Sequence, residues 1–152
     1  MPYQQRYITQ RLYTRFMNAR IIQFTIVVKN QEQALDFYTN KVGFEKKTDL
    51  VPRGSYRWVT VGPKGQDLEL ALFQAGTKDS KGWSAHWHPG NNPPIVLRVD
   101  DCRKVFADLK SRGVEFKQAQ PEEYAWGLSA TFSDPDGNLF SINQMPSYAT
   151  KT

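Results

Sequence analysis

The chain runs through the same order of predicted elements twice. Each pass opens on a run of β-branched and other apolar residues that is typical of a buried strand, Ile21–Val28 in the first and Ile95–Val99 in the second. An amphipathic helix follows each run and ends at a glycine, Gly43 or Gly113. Self-similarity at a spacing of about 70 residues predicts two copies of one supersecondary unit.

Each unit also contains a residue that can cap its helix and three further runs typical of strands. Asn30 is predicted to cap the first helix, and Asp100 or Asp101 the second. Three strands are predicted after each helix, at Phe44–Asp49, Ser55–Val61 and Asp67–Phe73 in the first unit and at Val114–Gln118, Leu128–Ser133 and Leu139–Gln144 in the second. The pattern therefore predicts two tandem βαβββ units, at about residues 20–74 and 94–145, joined by a polar linker at 75–93 that is rich in Gly and Pro.

The net charge of +5 is unevenly placed along the 152 residues. Residues 1–31 contain five basic side chains and no acidic one, whereas the remaining 121 residues contain fifteen of each sign. A neutral body argues against nucleic-acid binding, because that function needs a basic face. We predict a basic N-terminal extension at 1–19, either disordered or peripheral, before one domain at 20–152.

The sequence also indicates where the protein works. No apolar run approaches the roughly 20 residues needed to span a bilayer, and the N-terminal segment lacks the apolar core of a secretory signal. The single cysteine, Cys102, excludes an intrachain disulfide and falls on the apolar stripe of the second helix. We therefore expect a cytoplasmic protein with neither a membrane nor a nucleic acid as its partner.

Two segments resemble those of a known group of proteins. The run QALDFYTNKVGFE at 33–45 and the run DPDGNLFSIN at 134–143, placed in paired βαβββ units, resemble the vicinal oxygen chelate superfamily. That superfamily includes glyoxalase I, extradiol dioxygenases, fosfomycin-resistance transferases and bleomycin-binding proteins. The resemblance implies an α+β fold in which two tandem βαβββ units form a curved, cavity-enclosing mixed sheet with the helices outside. It also implies that the partner is a second identical chain, since relatives of this length commonly form homodimers.

The resemblance further implies four metal-ligand positions. Family members usually have His or Gln, Glu, His and Glu there, and the matching residues of this chain are Gln23, Glu69, Pro94 and Ser141. Proline cannot coordinate, and a neutral serine is a poor substitute for a carboxylate. Since a divalent ion needs about three good protein ligands, we expect no metal and no other cofactor.

Strand alternation predicts which side chains face the cavity, because successive residues point to opposite faces. The predicted ligand-binding residues on inward faces are Gln23, Trp58, Thr60, Glu69, Phe73, Ser141 and Asn143, with Trp126 at the rim. An aromatic wall with a few polar groups and one acid is typical of a small-molecule site. Glu69 is the candidate catalytic residue, as a general base, or else the anchor for a cation.

Each of these residues also has a purely structural interpretation. Trp58 and Trp126 can be core or dimer-interface aromatics. Glu69 can be paired with a nearby arginine, Arg57 or Arg98. Gln23 and Asn143 can satisfy each other's hydrogen bonds.

The linker holds a pair of histidines, His86 and His88, on either side of Trp87. Residues at i and i+2 share a face in an extended segment, so the two imidazoles can chelate or transfer protons. The surrounding Gly and Pro favour a solvated or lid-like loop. The alternative is a metal site built from these two histidines and Glu69.

These observations lead to two functional hypotheses and one structural one. The first is a small-molecule-binding protein of the bleomycin-resistance type, with a degenerate metal site, that sequesters a toxic aromatic or cationic compound. The alternative is a metal-dependent lyase, isomerase or dioxygenase, similar to glyoxalase I, that holds Mn, Fe, Ni or Zn in an atypical ligand set. The third is a dimeric scaffold whose cavity is filled by its own side chains.

Overall fold

In the part of the chain that the structure describes, the fold has eight strands and two short α-helices. The computed structural model describes residues 21–52, 56–78, 83–92, 94–124 and 127–146. The predicted extension at 1–19 and Trp126 lie outside the described residues. The strands and helices, in chain order, are β1 Gln23–Val28, α1 Gln31–Asp36, β2 Glu45–Leu50, β3 Trp58–Gly62, β4 Glu69–Gln74, β5 Ile95–Arg98, α2 Cys102–Ser111, β6 Glu122–Tyr124, β7 Gly127–Ser133 and β8 Leu139–Gln144.

The strands form two four-stranded sheets with one topology. The first sheet has the order β1-β4-β3-β2, and the second sheet has the order β5-β8-β7-β6. In each sheet the first and last strands of the unit pair in parallel, β1 with β4 and β5 with β8, while the other pairs are antiparallel. The predicted α+β fold of two βαβββ units is therefore confirmed.

Local signals in the sequence explain both helix starts. The Asn30 side chain accepts a hydrogen bond from the Gln33 amide at 2.9 Å, and the Asp101 side chain accepts one from the Lys104 amide at 3.0 Å. The first helix continues beyond α1 as a π-helical segment, Phe37–Val42, which ends at Gly43 with a φ of 88°. A left-handed residue is needed there, and glycine adopts that conformation without strain.

One predicted strand is wrong. Val114–Gln118 forms only an isolated bridge, from Phe116 to Phe132, and β6 lies further along the chain. The Lys117 amide does bond to the carbonyl of Thr131 at 2.8 Å, but the Thr131 amide is taken by the Gln118 side chain, also at 2.8 Å. A side chain thus replaces the backbone acceptor that a second ladder bond needs, and the strand does not form.

One hydrophobic core joins the two units. Ile26, Val28 and Leu72 of the first sheet and Phe132, Phe140 and Ile142 of the second belong to the same buried cluster as the inward residues of both helices. The ring of Tyr38 lies 5.6 Å from that of Phe140, centroid to centroid. None of the helices in the described ranges is long and apolar enough to cross a membrane.

Candidate functional site

The candidate site lies on the face of the first sheet that turns away from α1. Ile26, Val59 and Leu72 pack into the core with α1, so alternation directs their strand neighbours to the opposite face. Thr60, Ala71 and Phe73 occupy that opposite face and are nevertheless buried. A second layer of side chains must therefore cover them.

Aromatic rings packed on Phe73 supply part of that layer. Together with Phe73 they form what we call the aromatic cluster: Tyr56, Trp58, Phe73 and Trp87. Phe73 is central, with Tyr56 at 5.2 Å and Trp87 at 4.9 Å between ring centroids, both edge to face. Tyr56 also contacts Trp58 at 6.4 Å. Edge-to-face contacts at these distances are favourable because the positive ring edge meets the negative ring face.

Trp87 comes from the linker, whose histidine pair we predicted to lie in a solvated or lid-like loop. Its ring packs on Phe73, which is 4% exposed, yet Trp87 itself is 41% exposed. An exposed aromatic seated against a buried one is a surface on which a ligand ring can stack. The sequence pattern missed this residue because only His86 and His88 carried a chemical signal there.

A cavity of about 260 Å³ lies beside the cluster, and we call it the linker cavity. It is lined by Thr25, Ile26 and Val27 of β1, by His86, Trp87, His88, Asn91 and Asn92 of the linker, and by Asn138. Trp87 belongs to both features, and Phe73 is the register partner of Val27. The aromatic cluster and the linker cavity are therefore continuous.

The second unit holds the linker over this cavity. The Asn138 Oδ1 atom accepts a hydrogen bond from the Gly90 amide at 2.9 Å, and its Nδ2 atom donates to the carbonyl of Val27 at 2.8 Å. Asn138 is itself 1% exposed and precedes β8. One asparagine of the DPDGN turn thus ties together β1, the linker and the second sheet.

Thr60 is the unusual polar group of this face. It is fully buried, and within the described residues its Oγ1 atom has no hydrogen-bond partner. Thr60 is the register partner of Ala71 on β4. Ala71 lies two residues before Phe73 and on the same face of the sheet. A buried hydroxyl without a partner costs free energy, and such costs are more often retained at functional sites than elsewhere.

Gln23 and Glu69 lie together but at the other end of the sheet. They are register partners on β1 and β4, with Gln23 exposed and Glu69 half-buried. Glu69 precedes Phe73 by four residues, which is roughly 13 Å along a strand. The suggested pairing of Glu69 with Arg57 is replaced by ion pairs from Arg57 to Asp49, at 2.8 Å, and to Glu32.

The last two predicted residues belong to the second sheet. Ser141 and Asn143 lie on β8, and neither lines the linker cavity. The Ser141 hydroxyl is 2.8 Å from that of Ser129 on β7, and Asn143 is the register partner of Ser129. The structure thus brings Trp58, Thr60 and Phe73 to the linker side. It leaves Gln23 and Glu69 at the other end of the first sheet, and Ser141 and Asn143 in the second sheet.

A larger cavity of about 870 Å³ lies at the start of α2. Its lining includes Asp100, Asp101, Arg103 and Glu123, which are all exposed, together with Tyr124. Small-molecule sites are mostly apolar walls with few polar groups. The mixed charges at this second cavity make the linker cavity the better candidate.

Sequence and structure comparisons agree with this architecture. The family model of the Glyoxalase/Bleomycin resistance protein/Dioxygenase superfamily matches residues 20–142. The chain belongs to this superfamily. The resemblance that the two sequence segments suggested is therefore confirmed.

Superfamily relatives match over nearly their whole length. The Bacillus subtilis (strain 168) protein YurT is 37% identical over 127 residues, which cover 82% of this chain and 98% of that protein. The crystal structure of TnmS3, an antibiotic binding protein from Streptomyces sp. CB03234, has 36% identity and a TM-score of 0.74, covering 86% of this chain and 100% of that one. A superfamily member from Sphaerobacter thermophilus DSM 20745 has 37% identity and a TM-score of 0.73, over 85% and 99% of the two chains.

The residues at the superfamily's metal positions do not fit a divalent ion here. Gln23 and Glu69 are adjacent and can coordinate, but Pro94 has no side-chain ligand atom and the Ser141 hydroxyl is engaged with Ser129. Across the described ranges, no three His, Cys, Asp or Glu side chains come together as a ligand group. The set of His86, His88 and Glu69 is thus not assembled.

Proposed function

We propose that this protein binds a small aromatic compound and sequesters it without chemical change. One observation carries the proposal: Trp87 packs edge to face on the buried Phe73 at 4.9 Å, remains 41% exposed, and lines the linker cavity. A ligand ring that enters the cavity meets an aromatic surface that is already held in place. Preorganised rings lose little entropy on binding, so their stacking energy appears as affinity.

The relatives support a binding function. TnmS3 is described as an antibiotic binding protein, and it shares 36% of its sequence with this chain over its whole length. The superfamily also supports several chemistries, so the fold by itself does not choose among them. The aromatic cluster, together with a metal-ligand set that Pro94 breaks, favours binding over catalysis.

The size of the cavity limits the ligand. A volume of about 260 Å³ is near the lower end of small-molecule sites, which indicates a compound of one or two fused rings within the cavity. A larger compound would extend over the exposed edge of Trp87. Thr60 adds a buried hydroxyl on the same face of the sheet.

The experiment is a screen of aromatic compounds by calorimetry, followed by two matched variants. Trp87→Ala removes the aromatic surface of the linker cavity, whereas Tyr124→Ala removes an exposed ring from the larger cavity. We expect W87A to weaken binding at least about tenfold, the value of one stacked ring in a buried site, and Y124A to leave it unchanged. The reverse pattern, or a screen that returns no ligand, would contradict the proposal.

We also propose that binding requires no metal or cofactor. Support comes from Pro94 and Ser141 at two of the four superfamily ligand positions. The test is elemental analysis of protein purified without chelators or metal resin. About one equivalent of Mn, Fe, Ni or Zn per chain would overturn the proposal and restore the enzyme hypothesis.

We further propose that the protein forms a homodimer through its sheet edges. β1 and β5 are edge strands in the described sheets, and apolar side chains are exposed at both: Phe24 on β1, Ile22 just before it, and Val96 on β5. Exposed apolar edge strands are sites of strand pairing between chains. Light scattering coupled to gel filtration tests this, and a Phe24→Lys variant that remained as large as the wild type would argue against the β1 edge.

The proposed location is the cytoplasm. Cys102 is a free, fully buried thiol whose pKa is raised by burial. A lone unreactive thiol suits a reducing compartment but does not require one. Cell fractionation with an antibody against the chain tests the location directly.

A further inference from the structure

The charges around the linker cavity differ from those that the sequence suggested. Among the described residues, its lining contains two histidines, His86 and His88, and no carboxylate. We propose that the ligand of this cavity is an aromatic acid, a ring that carries an anionic oxygen and places it against these two imidazoles. This inference rests on the proposed function above and specifies its ligand class.

The two imidazoles are suited to an anionic oxygen. His86, Trp87 and His88 are consecutive and all line the cavity, so a ring bound there lies close to both imidazoles. A neutral imidazole has one N–H donor and a protonated one has two. Hydrogen bonds from such donors to an ionised oxygen are stronger than those between neutral groups.

Two of the asparagines in the lining, Asn138 and Asn92, are engaged by the backbone. Asn138 is occupied on both sides, because its Oδ1 atom accepts from Gly90 and its Nδ2 atom donates to Val27. Asn92 lies against the backbone of Leu139, with its Oδ1 and Nδ2 atoms each 3.4 Å from the backbone nitrogen and oxygen respectively. These two amides therefore hold the linker in place. The other polar side chains of the lining are Thr25, Asn91 and the two histidines, and of these only an imidazole can carry a positive charge.

Nearby carboxylates do not turn the cavity into a cation site. Asp134 and Asp136 belong to the turn beside Asn138 and are absent from the lining. Both oxygens of Asp134 are occupied, by Tyr38 and by the turn itself. Glu69, which suggested a cationic ligand, lies roughly 13 Å along β4 from Phe73. An aromatic acid thus meets hydrogen-bond donors, and no carboxylate of the described residues lines the cavity beside it.

The test uses three probes that share one ring system and differ in charge: 2-naphthoate, 2-naphthylmethanol and 2-naphthylmethylammonium. Titration calorimetry of the full chain at pH 7 is expected to give at least about tenfold tighter binding for naphthoate than for the alcohol, the contribution of one charged hydrogen bond. The ammonium compound is expected to bind most weakly. In the double variant H86Q/H88Q the three affinities should converge, whereas Arg103→Gln, which removes a positive charge from the larger cavity, should change none of them.

Nuclear magnetic resonance of the wild type provides a measurement that needs no variant. Naphthoate should shift the imidazole nitrogen signals of His86 and His88, the two histidines of the chain. Equal affinities for naphthoate and the alcohol, or tightest binding of the ammonium compound, would overturn the anionic ligand while leaving aromatic binding intact. If none of the three binds, this inference fails, and the proposed function is decided separately by its own library screen and the W87A variant.

Discussion

The hydroxyl of Tyr38 donates a hydrogen bond to the Oδ2 atom of Asp134 at 2.8 Å, and this bond joins the helix of the first unit to the β7–β8 turn of the second. Three further donors reach the same buried carboxylate, the amides of Asp136 and Asn138 and the Asn138 side chain, at 2.8–2.9 Å. Because Asn138 also holds Gly90 and Val27, the linker cavity depends on this junction.

Removing the Tyr38 hydroxyl should destabilise the protein. Tyr38→Phe leaves the buried Asp134 carboxylate with one donor fewer, and we expect the free energy of unfolding in urea to fall by about 1.5–3 kcal/mol, the range for hydrogen bonds to charged groups. The control is Tyr124→Phe, which removes an exposed hydroxyl bonded to Glu122 and should change stability by less than about 0.5 kcal/mol. Equal effects of the two variants would contradict the role of the junction.

The same tyrosine predicts a loss of stability at high pH. Burial, and then the charge and hydrogen bond of Asp134, hold the pKa of Tyr38 well above its ordinary value of 10.0. In the unfolded chain the phenol loses its proton near that ordinary value while the folded chain keeps it, so stability is full below pH 10 and falls as the pH rises above it. Urea unfolding of the wild type should therefore weaken more steeply above about pH 10 than that of Tyr38→Phe. Parallel pH profiles would contradict this.

The ion pair of Arg57 and Asp49 predicts how the stability of the protein changes at low pH. Two parallel hydrogen bonds of 2.8 Å from the guanidinium, with its charge, lower the pKa of Asp49 to about 2. Stability from this pair is present above the ordinary value of 3.8 and is lost as the pH falls towards 2. Carboxyl carbon titration by nuclear magnetic resonance measures the pKa.

Two variants separate the causes at Asp49. Arg57→Gln should return the pKa of Asp49 towards 3.8, because it removes the largest cause of the shift. Lys46→Gln removes a weaker contact, at 3.4 Å, and should change the pKa less. A larger effect of the lysine variant would show that the assignment is wrong.

Replacing Thr60 should stabilise the protein while replacing a matched hydroxyl should not. Thr60→Val exchanges a buried, unpartnered hydroxyl for a methyl group of similar size, and we expect a gain of about 1 kcal/mol in thermal or urea unfolding. Ser129→Ala removes a hydroxyl that bonds to Ser141 and to the carbonyl of Ile142, and it should cost about 1 kcal/mol. A loss of stability in T60V would mean that the hydroxyl has a partner.

Gly127 should not tolerate a side chain. Its φ is 123°, and a Cβ atom there would lie directly on the carbonyl oxygen of Gln144, the neighbouring residue of β8. Gly65 also has a positive φ, 74°, but a Cβ there meets nothing within 4 Å. We expect Gly127→Ala to lower the free energy of unfolding by at least about 2 kcal/mol more than Gly65→Ala, since the clash adds to the backbone strain. Similar costs would contradict the close approach of the two strands.

The sequence predicted the fold because its signals are local. The caps at Asn30 and Asp101 act on amides three residues away, and strand alternation depends only on neighbouring residues. The strand predicted at Val114–Gln118 did not form, because the Thr131 amide bonds to the Gln118 side chain instead of to a backbone carbonyl. A pattern of apolar residues does not show where a side chain will take the place of a backbone acceptor.

The sequence by itself determined the two βαβββ units, the superfamily, and the shared face of Trp58, Thr60 and Phe73. Only the tertiary structure decided what covers that face: Trp87 reaches Phe73 from the linker, and Asn138 holds Gly90 from 48 residues away. It also separated Glu69 from the aromatic cluster. The physical reason is that a contact between distant residues depends on the packing of whole sheets, whereas periodicity and capping depend only on the nearest residues along the chain.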